Sequence, residues 1–144
     1  MTKETGVLKV EVPPMRGVDE DMRNWSFFEM LEHNTIVNRS ITATVCQLAG
    51  GVPLSGSATI DPKKDVMPTG STDERIRQAF LDSTAFHKQE VEKLGRLRGT
   101  KKSQHPVFGP FDAHKWNCMF AFHLGLHLPQ AEFIARRAKA AGSR

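Results

Sequence analysis

The sequence lacks the features that mark several large protein classes. Its 144 residues include two cysteines, Cys46 and Cys118, and neither belongs to a CxxC pair. So few thiols exclude a disulfide scaffold and favour a reducing compartment, the cytoplasm. No apolar run approaches 18 residues, and the first residues contain no apolar signal-peptide core. We therefore expect neither a membrane span nor secretion.

Tyrosine is absent, and neither sign of charge dominates. The chain has 20 Lys and Arg against 16 Asp and Glu, a net charge of +4. The excess lies mainly in residues 93–102 and 136–144, and such patches can attract nucleic acid. They are more often solvated loops and helix ends, and no aromatic platform or base-reading motif accompanies them. A nucleic-acid partner is therefore disfavoured, and a general acid or base must come from histidine, a carboxylate, a thiol or an activated water.

What the chain does contain is an ordinary globular composition with helical periodicity. Hydrophobic residues make up 39% and charged residues 25%, as in a single domain with its own core. Apolar residues three and four apart predict helices over 19–49, 71–97 and 112–140. The first would begin with three acidic residues, the second with a capping box at Ser71, and the third contains Pro129, which removes one helical hydrogen bond.

The segment before the first predicted helix indicates an arm, and the two segments between the helices indicate loops. Residues 1–18 alternate apolar and polar side chains before two prolines, which indicates an extended N-terminal arm. Residues 50–70 and 99–110 are rich in Gly, Pro and Ser, so we expect long connecting loops. The predicted fold class is all-α, with an arm at 1–18 and a helical domain at 19–144.

Histidines on two of the predicted helices suggest a metal site. His123 and His127 are four residues apart, so their imidazoles share one helix face and can reach one ion. That face also carries Trp116 and Phe120, so the pair points into the core, where an unpaired imidazole is costly. Two hydrogen-bonded core histidines would produce the same pattern. His33, on the apolar stripe of the first predicted helix, adds a third inward imidazole.

Three histidines with an open fourth position are typical of catalytic zinc, and nickel also accepts imidazole ligands. The motif differs from the HExxH of metalloproteases, because Leu124 occupies the place of the glutamate. We expect His87 to be a core residue, with a fourth ligand or a donor to a ligand as the alternative. The remaining candidates are expected to be packing, structural or exposed residues: Cys46, Cys118, His105 and His114.

Trp25-Ser26, then His33, and later His123-x3-His127 with Gln130 form a motif that resembles the DinB-like, or YfiT-like, superfamily of metal-binding four-helix bundles. The resemblance covers the helices at 19–49 and 112–135 and implies an up-down bundle. Family members generally have a helix before the Trp-Ser helix, so we expect this bundle to lack or replace its first helix, or to cover the exposed face in a homodimer. The resemblance also implies that His33, His123 and His127 are ligands of zinc or nickel.

The resemblance also implies an activity. We expect a metal-dependent enzyme, either a thiol-dependent transferase or a hydrolase-like member. Its substrate would be a small molecule, for which a low-molecular-weight thiol is one candidate. The ion would hold an activated water or thiolate. Glu29 would orient His33, and Gln130 would steady a ligand or the substrate. The alternative is a non-catalytic metal-binding or stress-response module, which a fourth protein ligand such as His87 would favour.

Overall fold

Three long helices make up more than half of the described residues. The computed structural model describes residues 1–50, 64–70 and 73–142. A helix of one turn at the N-terminus is followed by a central helix that packs against the two others. Within the described residues, no helix has both the length and the apolarity needed to cross a bilayer. The helices are α1 (Lys3–Gly6), α2 (Phe27–Gly50), α3 (Ile76–Lys93) and α4 (Ala113–Gly142).

In the described part of the chain, two small antiparallel sheets accompany the helices. Strand β1 (Val10–Glu11) pairs with β2 (Asn24–Trp25), and β3 (Ser103–His105) pairs with β4 (Gly109–Phe111). The chain is mostly helical as predicted, but the all-α prediction missed both sheets. Strands of two or three residues are too short to show an alternating pattern, so the β3–β4 hairpin was predicted as part of a loop.

The N-terminal arm packs onto the helices. The extended prediction for 1–18 is right for β1 and wrong for α1, where Thr2 and Thr5 form a reciprocal capping box. Gly6 lies against the ring of Phe28, and a Cβ at that position would overlap the ring. Val12, at the end of the arm, is fully buried. The arm is therefore part of the folded body and contacts α4 through both α1 and β1.

Helix α2 begins at Phe27, eight residues later than the predicted start at Asp19. Residues 20–22 form a 3-10 turn instead. Ser26 and Glu29 explain the start: the Ser26 hydroxyl accepts from the Glu29 N–H at 3.2 Å, and the Glu29 carboxylate accepts from the Ser26 N–H at 2.8 Å. This capping box satisfies two backbone donors, whereas acidic residues alone satisfy none.

The other two long helices agree better with prediction. Helix α3 is shorter at both ends than predicted, and the expected cap residue Ser71 lies outside the described residues, as does most of the predicted loop over 50–70. Helix α4 closely matches its prediction and contains Pro129 in its interior.

Two hydrophobic clusters lie along α2. The first includes Met30 and Leu31 near the helix start, packed with Trp25 and with Ile134 of α4. The second includes Ile41 and Val45 of α2, packed with the N-terminal half of α4. The stretch of α2 between the clusters carries His33, so the packing of α2 on α4 fixes where this side chain meets the opposite helix.

Candidate metal centre

The three predicted histidines meet between α2 and α4. The Nε2 atom of His33 lies 3.2 Å from Nε2 of His123 and 3.2 Å from Nε2 of His127. The potential ligand atoms of all three residues lie within 4.8 Å of one another. His33 and His127 are 2% and 3% exposed, so two of these rings are almost completely removed from solvent.

Hydrogen bonds fix the tautomers of two of the rings. Nδ1 of His33 lies 2.7 Å from the carbonyl oxygen of Val66, and because a carbonyl only accepts, this nitrogen must carry the proton. Nδ1 of His127 lies 2.8 Å from Oε1 of Gln130, whose Nε2 donates to the carbonyl of Met22 at 2.7 Å. The amide oxygen therefore faces His127 and accepts its Nδ1–H. In the neutral rings, both Nε2 atoms carry a lone pair.

Two lone pairs that face each other at 3.2 Å repel unless a cation or a proton lies between them. A tetrahedral ion with bonds of 2.0–2.1 Å would separate its nitrogen ligands by about 3.3 Å, close to the observed spacing. Imidazole nitrogens suit zinc and nickel, whereas magnesium and calcium prefer oxygen. The donor set therefore fits a divalent ion that accepts nitrogen ligands.

His123 differs from the other two rings. Its Nδ1 is buried and has no hydrogen-bond partner in the described part of the chain. Its orientation depends instead on helix α4 and on the neighbouring imidazoles, whose ring centres lie 5.1 Å (His33) and 4.6 Å (His127) away. Of the three, this ring has the least support from hydrogen bonds outside the cluster.

Burial keeps the cluster neutral. Desolvation lowers the pKa of His33 to about 4, with a smaller contribution from His127. Desolvation lowers the pKa of His123 to about 3, assisted by the other histidines nearby. Burial also lowers the pKa of His127, against the opposing effect of its bond to Gln130. The neutral imidazole is the form that binds a metal.

A cavity of about 370 Å³ opens beside the three histidines. This volume is near the lower end of the range for small-molecule sites, about 300–1,000 Å³. Most of its wall is apolar, and no Lys or Arg belongs to the lining within the described residues. The apolar side chains come from α2, α4 and the β3–β4 hairpin: Val37, Ile41, Val107, Phe108, Trp116, Met119 and Leu126.

Glu29 has a different environment from the one predicted. Its carboxylate caps α2 through Ser26 and forms an ion pair with Lys9. Burial would raise the pKa of Glu29, but the bonds from Lys9 and Ser26 outweigh it and leave the pKa lowered. The orienting role expected of Glu29 toward His33 belongs to the carbonyl of Val66. Gln130, the other predicted residue, does contact a candidate ligand, His127.

His87 lies in the core, as expected. Its Nδ1 is 2.9 Å from the hydroxyl of Thr42, and its Nε2 is 3.0 Å from the amide oxygen of Asn117. The ring stacks on Phe120 at 3.7 Å between centres. Both nitrogens are therefore engaged, and the alternative of a fourth metal ligand finds no support in this geometry. The two cysteines are free thiols outside the cluster.

Sequence reasoning missed three contributors to the site. The carbonyl groups of Val66 and Met22 leave no pattern in a sequence, because every residue has one. His105, expected to be structural or exposed, is buried and lines the cavity. The one indication in the sequence was that His105 belongs to a short turn containing Pro and Gly, which can fix the position of a side chain.

Comparison of the chain with protein families, with curated proteins and with solved structures gave no match. The resemblance to DinB-like proteins therefore rests on the few motif residues alone, and the geometry of the histidine cluster is the main evidence about function.

Proposed function

We propose that this chain is a metal-dependent enzyme of the DinB-like type, in which His33, His123 and His127 bind zinc or nickel beside a small-molecule cavity. The observation that carries the proposal is the convergence of three Nε2 atoms, two of them with tautomers that leave a lone pair toward the common point. Partners of the opposite ring nitrogens are typical of histidines that bind metals.

An open coordination position favours catalysis over a structural role. Three histidines form the cluster, and within the described residues no further His, Cys, Asp or Glu joins it. The cavity borders the same three side chains, so a small molecule could reach the remaining position. A bound divalent ion supplies Lewis acidity and lowers the pKa of a water or thiol in that position.

The protein itself contributes orientation and desolvation. Val66 and Gln130 hold two of the imidazoles, and the mostly apolar wall of the cavity would partly desolvate a group bound there. Thiol transfer and hydrolysis both need a nucleophile that is deprotonated near neutral pH, and the site suits either. The resemblance to DinB-like proteins favours thiol transfer. We propose Gln130 as a positioning residue that acts through His127.

Metal content tests the proposal directly. Protein loaded with Zn²⁺ or Ni²⁺ and then desalted should retain one ion per chain by elemental analysis. His33→Ala and His127→Ala should each lose it, whereas the matched change His114→Ala, at a histidine outside the cluster, should retain it. Equal metal content in the wild type and His127→Ala would refute the metal centre.

A second measurement separates an enzyme site from a structural ion. In the Co²⁺-loaded protein, addition of a simple thiol such as N-acetylcysteine should change the visible and near-ultraviolet absorption, because a sulfur ligand enters the open position. A stoichiometric ion whose spectrum does not respond to any added ligand would instead support the non-catalytic module.

A further inference from the structure

The cavity beside the histidine cluster has a polar group that the metal site does not use. Nδ1 of His105 accepts the backbone N–H groups of Val107 and Phe108, at 3.1 and 3.2 Å. A nitrogen that accepts two donors cannot itself carry a proton, so the neutral ring must carry it on Nε2. This N–H has no hydrogen-bond partner among the described residues, and the His105 ring lines the cavity.

Aromatic packing fixes the plane of the same ring. The His105 ring centre lies 4.9 Å from that of Phe108, 5.0 Å from that of Phe111 and 5.1 Å from that of Trp116. The residue is 8% exposed. Both the direction of the Nε2–H and the tautomer are thus set before any ligand arrives, which lowers the entropic cost of using it.

The charge of the lining limits the ligand. Asp19 is the one charged side chain on the wall described here, and a basic residue is absent from that wall. Among these described residues, no side chain would supply a counter-charge to an anionic group away from the histidine cluster, and its desolvation would be costly. An apolar or aromatic body would instead gain from contact with the side chains of α2, α4 and the hairpin.

We infer that this cavity selects a small substrate with an uncharged, apolar or aromatic body, and that His105 donates a hydrogen bond to an acceptor atom on it. The substrate would bind with its reactive group beside the histidine cluster and its body against the hairpin. The inferred position of the substrate's reactive group depends on the proposed metal centre. The inferred binding of the substrate's apolar body does not.

The apolar cavity can be tested without metal. The uncharged fluorophore N-phenyl-1-naphthylamine should bind the chelator-treated protein with a rise in fluorescence that saturates at one probe per chain. Val37→Phe should fill the cavity and weaken binding at least tenfold. The matched change Val7→Phe, at a position 47% exposed in the arm, should leave binding unchanged. Equal binding by both variants would overturn the apolar cavity as the site.

The role of His105 is tested by the binding of two hydroxamates to the Co²⁺-loaded protein. Their binding is measured from the change in the cobalt absorption spectrum. Benzohydroxamate should bind at least tenfold more tightly than acetohydroxamate, because its ring occupies the apolar wall. His105→Phe should keep the aromatic packing and weaken benzohydroxamate binding at least fivefold. His105→Gln, which retains a donor and an acceptor, should recover most of that loss.

The outcomes separate the two proposals. Failure of Co²⁺ to bind would reject the metal centre while leaving the fluorophore result to decide the cavity. Two results with a stoichiometric cobalt site would reject this inference and leave the metal centre standing. The first is equal binding of both hydroxamates. The second is unchanged benzohydroxamate binding in a His105→Phe variant whose circular dichroism spectrum matches that of the wild type.

Discussion

The amide of Gln130 holds the imidazole of His127 in a single tautomer. Its nitrogen donates to the backbone of Met22, so its oxygen must face Nδ1 of His127 and accept that proton. Gln130 is completely buried, which leaves it no alternative partner in water. The Gln130 side chain thereby connects the segment before α2 to the turn of α4 that carries His127.

Replacement of Gln130 by Leu should weaken metal binding without abolishing it. The change keeps a buried side chain of similar size but removes the acceptor that fixes His127, and loss of such a partner typically costs 10–100-fold in affinity. Competition with a chromogenic chelator measures the effect. Gln89→Leu, on the exposed face of α3, is the matched control, and an equal affinity in both variants would contradict the positioning role.

Replacement of His87 by Leu should lower stability and leave the metal content at one ion per chain. The variant loses the buried hydrogen bond to Thr42 and the partly buried one to Asn117, at a cost of about 1–3 kcal/mol in the free energy of unfolding. Urea unfolding and elemental analysis on the same sample give both values. A loss of the ion with unchanged stability would make His87 a ligand after all.

Glu29→Ala should act on stability and not on the metal centre. The carboxylate caps α2 and pairs with Lys9, so its removal leaves a buried N–H without a partner and should cost about 1–3 kcal/mol. The metal affinity should stay within twofold of the wild type, because Val66 orients His33. A tenfold loss of metal affinity in a fully folded Glu29→Ala variant would instead support the role that the sequence suggested, in which Glu29 orients His33.

The metal-free protein should become less stable as the pH falls from about 6.5 to about 4. The pKa of His33 is about 4 in the folded chain and about 6.5 when unfolded, so the unfolded state binds more protons in this window. The associated stability is fully present above pH 6.5 and is lost on acidification. Urea unfolding in the presence of a chelator, at pH 7, 5.5 and 4.5, measures this loss.

The control for this pH dependence is His33→Asn, which removes the titrating ring. Its free energy of unfolding should fall less steeply than that of the wild type between pH 6.5 and 4.5, a range mostly above the titration of ordinary carboxylates. Parallel slopes in the two proteins would show that His33 does not titrate with a lowered pKa.

The convergence of the three histidines was predictable from helix geometry. Two histidines four residues apart share a face, and His33 lies on the stripe that must be buried, so the sequence indicates that all three point inward. The start of α2 was also available from Ser26 and Glu29, which form a capping-box pattern, but the acidic residues upstream suggested an earlier start.

The rest of the site depends on contacts that local sequence does not encode. Val66 supports His33 from a segment 33 residues away, through a backbone group that any residue would provide. His105 lines the cavity because a hairpin of two three-residue strands, which follows α3 along the chain, packs against α4. Neither the register of such short strands nor their place on the helices leaves a periodic pattern.

His33 lies far along the chain from the other two candidate ligands, at a sequence separation of 94 from His127. An ion shared by them would therefore act as a reversible cross-link that closes most of the polypeptide into one large ring, as a long-range disulfide does in oxidised proteins. Because chelation would cut that link without breaking a covalent bond, the folded state would lose the stabilisation contributed by the ion and regain it when the ion is returned.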